Sequence, residues 1–378
     1  MKVLMLAGCL VLTLGATLAK EEALPQKVTY VNHRLLAVTP QNKEQVEFLA
    51  DLEDSGHLGL DVWIMPRVNQ PGKVRVPPET YQRFLDLINA AGIPHELKHD
   101  NIQELANYIS GFASSFTGVS TGTLAHQTYE GRLTYYIHIN NPSVSGKKRI
   151  FIEAGIHARE WVTPASTMYF VDKMLHERSI AGSQAQYLYN NFEWYIVPVT
   201  NPDGYAYTHT SDRLWRKNRN TCSSIFGRGV DLNRNWDANF EVNVSCSGSS
   251  SSCFSDTYHG SSVFSEAETR NIRDWVASIQ SNEGPISAYL SVHSYSQYLL
   301  VPYGYAENTE PANTAEIVHV ASGTSSDWAR LNANIPYAMT YEMRPDSNDN
   351  AGFQLPESEI IPTGEDLWVS LHAIASEL

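Results

Sequence analysis

Apolar positions change their spacing repeatedly along the first hundred residues. They alternate over 28–38, recur at three to four positions over 42–52, alternate over 60–65, return to the helical spacing over 78–91 and alternate again over 94–97. A strand-helix-strand-helix-strand order of this size predicts a small α+β ferredoxin-like unit, of which about four-fifths shows in the pattern. The unit carries no evident chemistry. After a Ser/Thr/Gly-rich stretch at 110–122, strands and helices alternate to the C-terminus, which predicts an open α/β sheet as a second, larger unit. Four of its strands finish in polar residues. The strand at 149–155 runs into His157 and Glu160, 192–199 into Asn201-Pro-Asp-Gly204, 288–292 into His293, and 337–341 into Glu342. Ligands of open α/β sheets bind outside the carboxyl ends of the strands, so residues far apart in sequence can converge there.

The N-terminus changes the picture of where the protein works. Lys2, an apolar run over 3–14 and small residues around Thr17 and Ala19 read as a secretory signal over 1–19, so a secreted, extracellular protein is expected. That run is too short to span a bilayer and no later stretch approaches the needed length, which excludes a membrane partner. The formal net charge of -14 and the absence of any basic block longer than Lys147-Lys148-Arg149 exclude nucleic acid. Three domains follow: the signal at 1–19, the small unit at 20–105 and the large unit at 106–378. Cys9 leaves with the signal, and the remaining Cys222, Cys246 and Cys253 are odd in number, so one is unpaired or bonded elsewhere. Asn243-Val-Ser245 is a glycosylation sequon, in keeping with an exposed loop.

Candidate chemistry begins at His157-Ala-Arg-Glu160, the one HxxE among 13 histidines. The spacing lets an imidazole and a carboxylate face one metal from a single turn, but it also arises by chance on protein surfaces. His293 supplies a third donor from the end of a strand. Two neutral imidazoles and one carboxylate leave a fourth zinc position open. Gly118-Val-Ser-Thr-Gly122 matches the serine-hydrolase GxSxG pattern, yet Ser120 lies in a Ser/Thr/Gly-rich stretch and not between a strong strand and a helix, so a nucleophile elbow is not expected. The HExxH pattern of endopeptidases is absent.

Gly155-Ile-His-Ala-Arg-Glu-Trp161, Asn201-Pro-Asp-Gly204, Leu214-Trp-Arg-Lys217, Asp231-Leu-Asn-Arg-Asn-Trp236, His293-Ser-Tyr-Ser-Gln297 and Tyr341-Glu-Met-Arg344 occur in this order. Together they resemble the digestive zinc metallocarboxypeptidases of the A/B type. The likeness covers nearly the whole chain after the signal, with the small unit similar to that family's inhibitory activation domain, and it implies for the large unit a mixed open sheet with helices on both faces. The resemblance implies one Zn2+ held by His157, Glu160 and His293, with Glu342 as general base and Arg216 on the developing oxyanion. It further implies that Asp231 orients His157, that Asn233 and Arg234 grip the terminal carboxylate of a peptide or protein, and that Arg159 assists at an earlier subsite. Ser326 falls at the base of the side-chain pocket, with Leu300, Gly304, Ala321 and Thr340 around it. None of these is charged, which points to the A type and to neutral apolar or aromatic C-terminal residues. Cys222 pairs with Cys253 by the same likeness. A monomer, cut by an activating protease, is implied.

The chain departs from that pattern in three places. His319 stands where the family carries a substrate-binding tyrosine. The segment between Tyr305 and Ile317 is short, and so is that between Glu104 and Tyr129, where no Lys or Arg occurs between Lys98 and Arg132. A carboxypeptidase-like protein that binds zinc or peptide ends without turnover, or a permanently latent zymogen, is the competing reading.

Overall fold

A computed structural model describes residues 32, 34–64, 66–99, 116–222, 228–241, 248–304, 321–349 and 351–378. In the small unit, β1 (Arg34–Val38), α1 (Lys43–Asp54), β2 (Asp61–Ile64), β3 (Gly72–Val76), α2 (Tyr81–Ala90) and β4 (His95–His99) follow one another. The four strands form an antiparallel sheet in the order β2-β3-β1-β4, the ferredoxin-like arrangement expected. The strand that pattern reading misses is β3. Its Gly-Lys-Val-Arg-Val offers two large apolar side chains, Val74 and Val76, which are buried while Lys73 is exposed. Phe84 and Ile88, one turn apart on α2, are wholly buried against the sheet. Residues 28–31 of the expected first strand lie outside the described residues, as do the signal and the stretch at 100–115.

The large unit contains β5 (Val119–Thr123), β6 (Tyr135–Ile139), β7 (Lys148–Ala154), α3 (Val162–Glu177), α4 (Gln184–Asn191) and β8 (Phe192–Val197). It continues with α5 (Pro202–Thr210), α6 (Ala267–Asn282), β9 (Ile286–Ser296), β10 (Leu299–Leu300), α7 (Ser325–Leu331), β11 (Tyr337–Asp346) and α8 (Ile360–Glu377). The sheet order is β10-β11-β9-β7-β8-β6-β5, with β11, β9, β7 and β8 parallel and the flanking strands antiparallel. Side chains alternate between the two faces. Ile150 and Ile152 of β7 pack with Phe170 of α3 and Leu371 of α8, whereas Phe151 packs with Val276 of α6 and Trp328. Helices thus cover both faces of a mixed open sheet, as the sequence predicts. Ser120 sits on β5, an edge strand paired to β6, which is no nucleophile elbow.

One boundary differs in an informative way. The strands expected to stop before His293 and Glu342 continue to Ser296 and Asp346, because the parallel ladder carries on through Glu342↔His293 and Met343↔Ser294. Both residues therefore stand on rigid strands rather than on loops.

Candidate active site

β7 gives way to the site through Gly155, whose φ of +63° is a left-handed conformation that glycine adopts without strain. The next turn is pinned by the Ala158 N–H donating to the Arg216 carbonyl at 3.0 Å, and α3 begins at Val162. His157 and Glu160 stand three residues apart on that turn. His157 Nδ1 lies 2.7 Å from Glu160 Oε1 and 3.1 Å from His293 Nδ1, and His293 Nδ1 lies 3.2 Å from Glu160 Oε2. All three side chains are buried.

The donor chemistry fits a zinc ion. Two imidazole nitrogens and a carboxylate converge, each able to present a lone pair to one point. Their outer atoms are already held: His157 Nε2 is 3.1 Å from Asp231 Oδ1, and His293 Nε2 is 3.0 Å from the Ser291 hydroxyl. Such outer partners fix which ring nitrogen faces the metal. Burial, reinforced by the Arg216 charge, pushes the His157 imidazole down towards its neutral form. Burial opposes the charge of Glu160, but the two imidazoles outweigh it and hold its carboxyl well below the usual range.

Asp231 is the hinge of the surrounding network. Its Oδ1 faces His157 and accepts the Asn233 N–H at 3.0 Å, while its Oδ2 accepts from Arg216 Nε at 3.0 Å and Nη2 at 2.9 Å. Burial works against its charge, yet Arg216 and Arg234 keep the carboxyl ionised far below its ordinary range. The forked pair fixes the Arg216 guanidinium in one plane. Asn233 is set by its Oδ1 accepting from the Ser325 N–H at 3.0 Å, and Arg234 by donating from Nε to Gly248 O at 2.5 Å and from Nη1 to Asn233 O at 2.7 Å.

His157, Glu160, His293, Arg216, Asn233 and Arg234 line one cavity of about 280 Å³ together with Glu342. Burial pushes the Glu342 carboxyl up to about 7, against the pull of His293 and with the help of Glu160. On the far side are Leu300, Val301, Gly304, Ala321, Ser326 and Thr340, and the Thr340 hydroxyl donates to Ser326 Oγ at 3.1 Å.

Of the residues singled out from sequence, His157, Glu160, His293, Glu342, Arg216, Asn233, Arg234 and Ser326 meet at this cavity, and Asp231 stands behind it. Arg159 does not line it. Its guanidinium lies 4.4 Å from the ring of Phe353, which does, and donates to Leu214 O at 3.3 Å. His319 lies outside the described residues, and so does Cys246. Cys222 and Cys253 are joined as a disulfide, with Cα atoms 6.2 Å apart.

Sequence reasoning passed over Asp327, Tyr295 and Phe353 in the lining, and Glu153 beneath it. The pocket wall is therefore not free of charge: Asp327 is buried there, with the Gly304 N–H donating to both of its carboxylate oxygens at 3.0 Å. Glu153, fully buried, accepts from the Ser291 hydroxyl at 2.8 Å and so supports His293 from below. A lone acid inside the apolar run of β7 was the available signal for it.

A profile described as "Zinc carboxypeptidase" matches residues 105–322 and 312–370, and one described as "Carboxypeptidase activation peptide" matches residues 36–108. Carboxypeptidase A1 of Bos taurus is 34% identical over 97% of this chain and 97% of its own. "Zinc carboxypeptidase A 1" of Drosophila melanogaster is 32% identical over 98% of this chain and 97% of its own. The bovine alignment runs to 430 positions against the 378 residues here, so the relative carries segments that this chain lacks. Among solved structures, the carboxypeptidase A from Helicoverpa armigera superposes with a TM-score of 0.58 at 28% identity, over 92% of this chain and 98% of that one. Thrombin activatable fibrinolysis inhibitor gives a TM-score of 0.64 at 25% identity, over 92% and 99%. The chain belongs to the zinc carboxypeptidase family, zinc-dependent hydrolases of peptide C-termini, and carries an activation-peptide domain ahead of its catalytic domain.

Proposed function

We propose that the protein is a secreted carboxypeptidase that removes single neutral residues, apolar or aromatic, from peptide C-termini, with Glu342 as general base. The observation that carries this reading is the register pair Glu342↔His293. It sets a half-buried carboxyl with its pKa pushed up to about 7 beside the three candidate zinc ligands, in a cavity that also holds two arginines. A carboxyl poised near neutrality can accept a proton and return it within one turnover.

His157, Glu160 and His293 would hold the zinc, which when bound supplies a Lewis acid for the scissile carbonyl and acidifies water. Glu342 takes the proton of the attacking water and delivers it to the leaving amine. Arg216, locked by Asp231, faces the oxygen on which charge develops, where a preorganised cation is most effective. Asn233 and Arg234 receive the terminal carboxylate, which restricts the enzyme to chain ends. The walls formed by Leu300, Val301, Gly304 and Ala321 suit a neutral side chain, since Asp327 turns both oxygens onto a backbone N–H. Ser326 forms the pocket base. His319 would contact the substrate, and Arg159 would meet it one subsite earlier.

The same reading divides the chain into a signal at 1–19, an activation domain at 20–105 and a catalytic domain at 106–378, acting outside the cell as a monomer. The absence of Lys and Arg from 99–131 calls for an activating protease that does not cut after basic residues. Blocked dipeptides ending in Phe, Leu, Lys or Glu, supplied to the secreted protein after limited proteolysis, test it. Release of Phe or Leu that a chelator abolishes is expected. A folded protein that retains one zinc and releases none of the four would make it a binding protein instead.

A further inference from the structure

A second group of metal-ligating side chains lies at the opposite end of the large sheet. His138 on β6, Glu193 near the start of β8 and Glu283 at the C-cap of α6 bring one ring nitrogen and two carboxylate oxygens within 4.8 Å of one another. The paired residue Arg149 is five positions before the end of β7, so the group stands roughly 16 Å of strand from the cavity, at about 3.3 Å per residue. Among the described residues the only other group to meet the same distance bound is His157, Glu160 and His293.

Its surroundings have the features of a prepared site. His138 Nε2 is 2.8 Å from Glu193 Oε1, and its other nitrogen, Nδ1, is 3.5 Å from Oγ of Ser120, the residue opposite it on β5. A ligating histidine gives its second N–H to such an outer partner, and here Nε2 is the nitrogen turned towards the carboxylate of Glu193. The Tyr195 ring stacks beneath the imidazole, with centroids 4.6 Å apart and planes 15° apart, so the ring orientation is fixed. The Tyr195 hydroxyl donates to Glu283 Oε2 and holds that carboxylate in place. Glu193 is buried, His138 is half-buried and Glu283 is exposed, which gives a solvent-side path into the group. The C-terminus of α6 adds negative potential on the same side. Arg149 Nε lies 3.2 Å from Glu193 Oε2 and offsets part of the negative charge of the two carboxylates.

We propose that His138, Glu193 and Glu283 form a second, non-catalytic site for a divalent cation of the zinc type. One imidazole with two carboxylates is a donor set that Zn2+ accepts, with solvent filling the fourth position. Glu193 would bridge between the cation and Arg149, and Ser120 would hold the His138 ring from behind. The cation would tie the C-terminus of α6 to β6 and β8, three segments that are distant in sequence.

The test uses the full-length protein, stripped of metal and dialysed against Zn2+, with metal content per chain and calorimetric titration as readouts. Two equivalents are expected for the wild type, the second binding more weakly. His138→Ala and Glu283→Gln should each remove that second equivalent and keep the first, and Glu283→Gln, made at an exposed side chain, should leave the fold unchanged. The second equivalent should also raise Tm in the wild type and not in either variant. One equivalent in the wild type, or a second that survives both substitutions, would overturn the proposal. In that case His138 and Glu193 are a structural ion pair with Arg149.

Discussion

The two sheets of this protein are both flanked by helices, yet they bury different kinds of side chain. In the small unit the buried set is apolar, built on Leu36, Val38, Val74, Val76, Phe84 and Ile88, and no polar side chain among its described residues is buried. In the large unit Glu153, Glu160, Asp203, Asp231, Glu266, Glu268 and Lys217 are buried alongside comparable apolar clusters. Burying an unpaired charge is prohibitive, so each such group needs a fixed partner. The partners are what turn one end of the large sheet into a site. The small unit, which needs only volume and pattern to hold together, has no comparable chemistry to offer. Substitutions that act on one kind of burial should therefore leave the other's property alone.

Glu342→Gln should show the largest effect. The amide keeps the shape and cannot take a proton, so kcat should fall by about 10²–10⁴-fold, the usual share of a general base. KM, zinc content and Tm should stay near wild type. A variant that hydrolyses normally would place the base elsewhere and remove the contrast between the two sheets.

Phe84→Ala tests the other side. Truncating a wholly buried aromatic costs about 3–5 kcal/mol through lost transfer energy and the cavity left behind. The small unit should unfold at lower denaturant while the transition of the large unit, followed by its own tryptophans, stays in place. A shift in both transitions would mean that the two cores are one cooperative unit.

The difference between the sheets also governs what could be read from sequence. Periodicity found α1, α2 and the open sheet because apolar burial leaves a repeating trace. It missed β3, where a short strand with Lys73 and Arg75 on its outer face carries too little apolar signal. The candidate metal ligands and Glu342 were legible as family motifs near strand ends, and Arg216 as a family motif in a connecting segment. The supporting layer was not: Glu153 and Ser291 act through side-chain contacts between β7 and β9, 138 residues apart in sequence, and spacing holds no record of a contact that only the sheet creates. Asp327 escaped for the same reason, since its partner Gly304 is brought to it by the fold.

Glu268 gives a smaller, pH-dependent contrast. Burial first, and then the neighbouring Glu266, push its carboxyl up to about 8 in the folded chain, from an ordinary value of 4.5. Between those two pH values the folded state holds a proton that the unfolded state has released, so stability falls as pH rises through the window. Glu268→Gln stays neutral throughout and keeps a partner for Asn218 Nδ2, now 3.4 Å from both oxygens. Denaturation midpoints at pH 5, 6.5 and 8 should decline more steeply in the wild type than in the variant. Parallel profiles would show that Glu268 is ionised and paired like the other buried acids.

The finest comparison sets one asparagine against another. Asn42 caps α1 by accepting the Gln45 N–H at 2.9 Å, on the exposed surface of the small unit. Asn201 caps α5 in the same way, accepting the Gly204 N–H at 2.9 Å, but it is wholly buried, and its Nδ2 also donates to the carbonyls of Ile156 at 3.2 Å and Lys217 at 3.1 Å. Replacing Asn42 with Ala loses one cap, about 1 kcal/mol, because water can satisfy what is left. Replacing Asn201 with Ala loses the cap and strips a donor from two buried carbonyls, at about 1–3 kcal/mol for a buried group left unpaired. Those carbonyls belong to the residue before His157 and the residue after Arg216, so the second substitution should also lower kcat/KM, whereas the first should not. Equal losses of stability, with activity untouched in both, would mean that the site tolerates an unpaired carbonyl on each side and that its geometry is set by the strands alone.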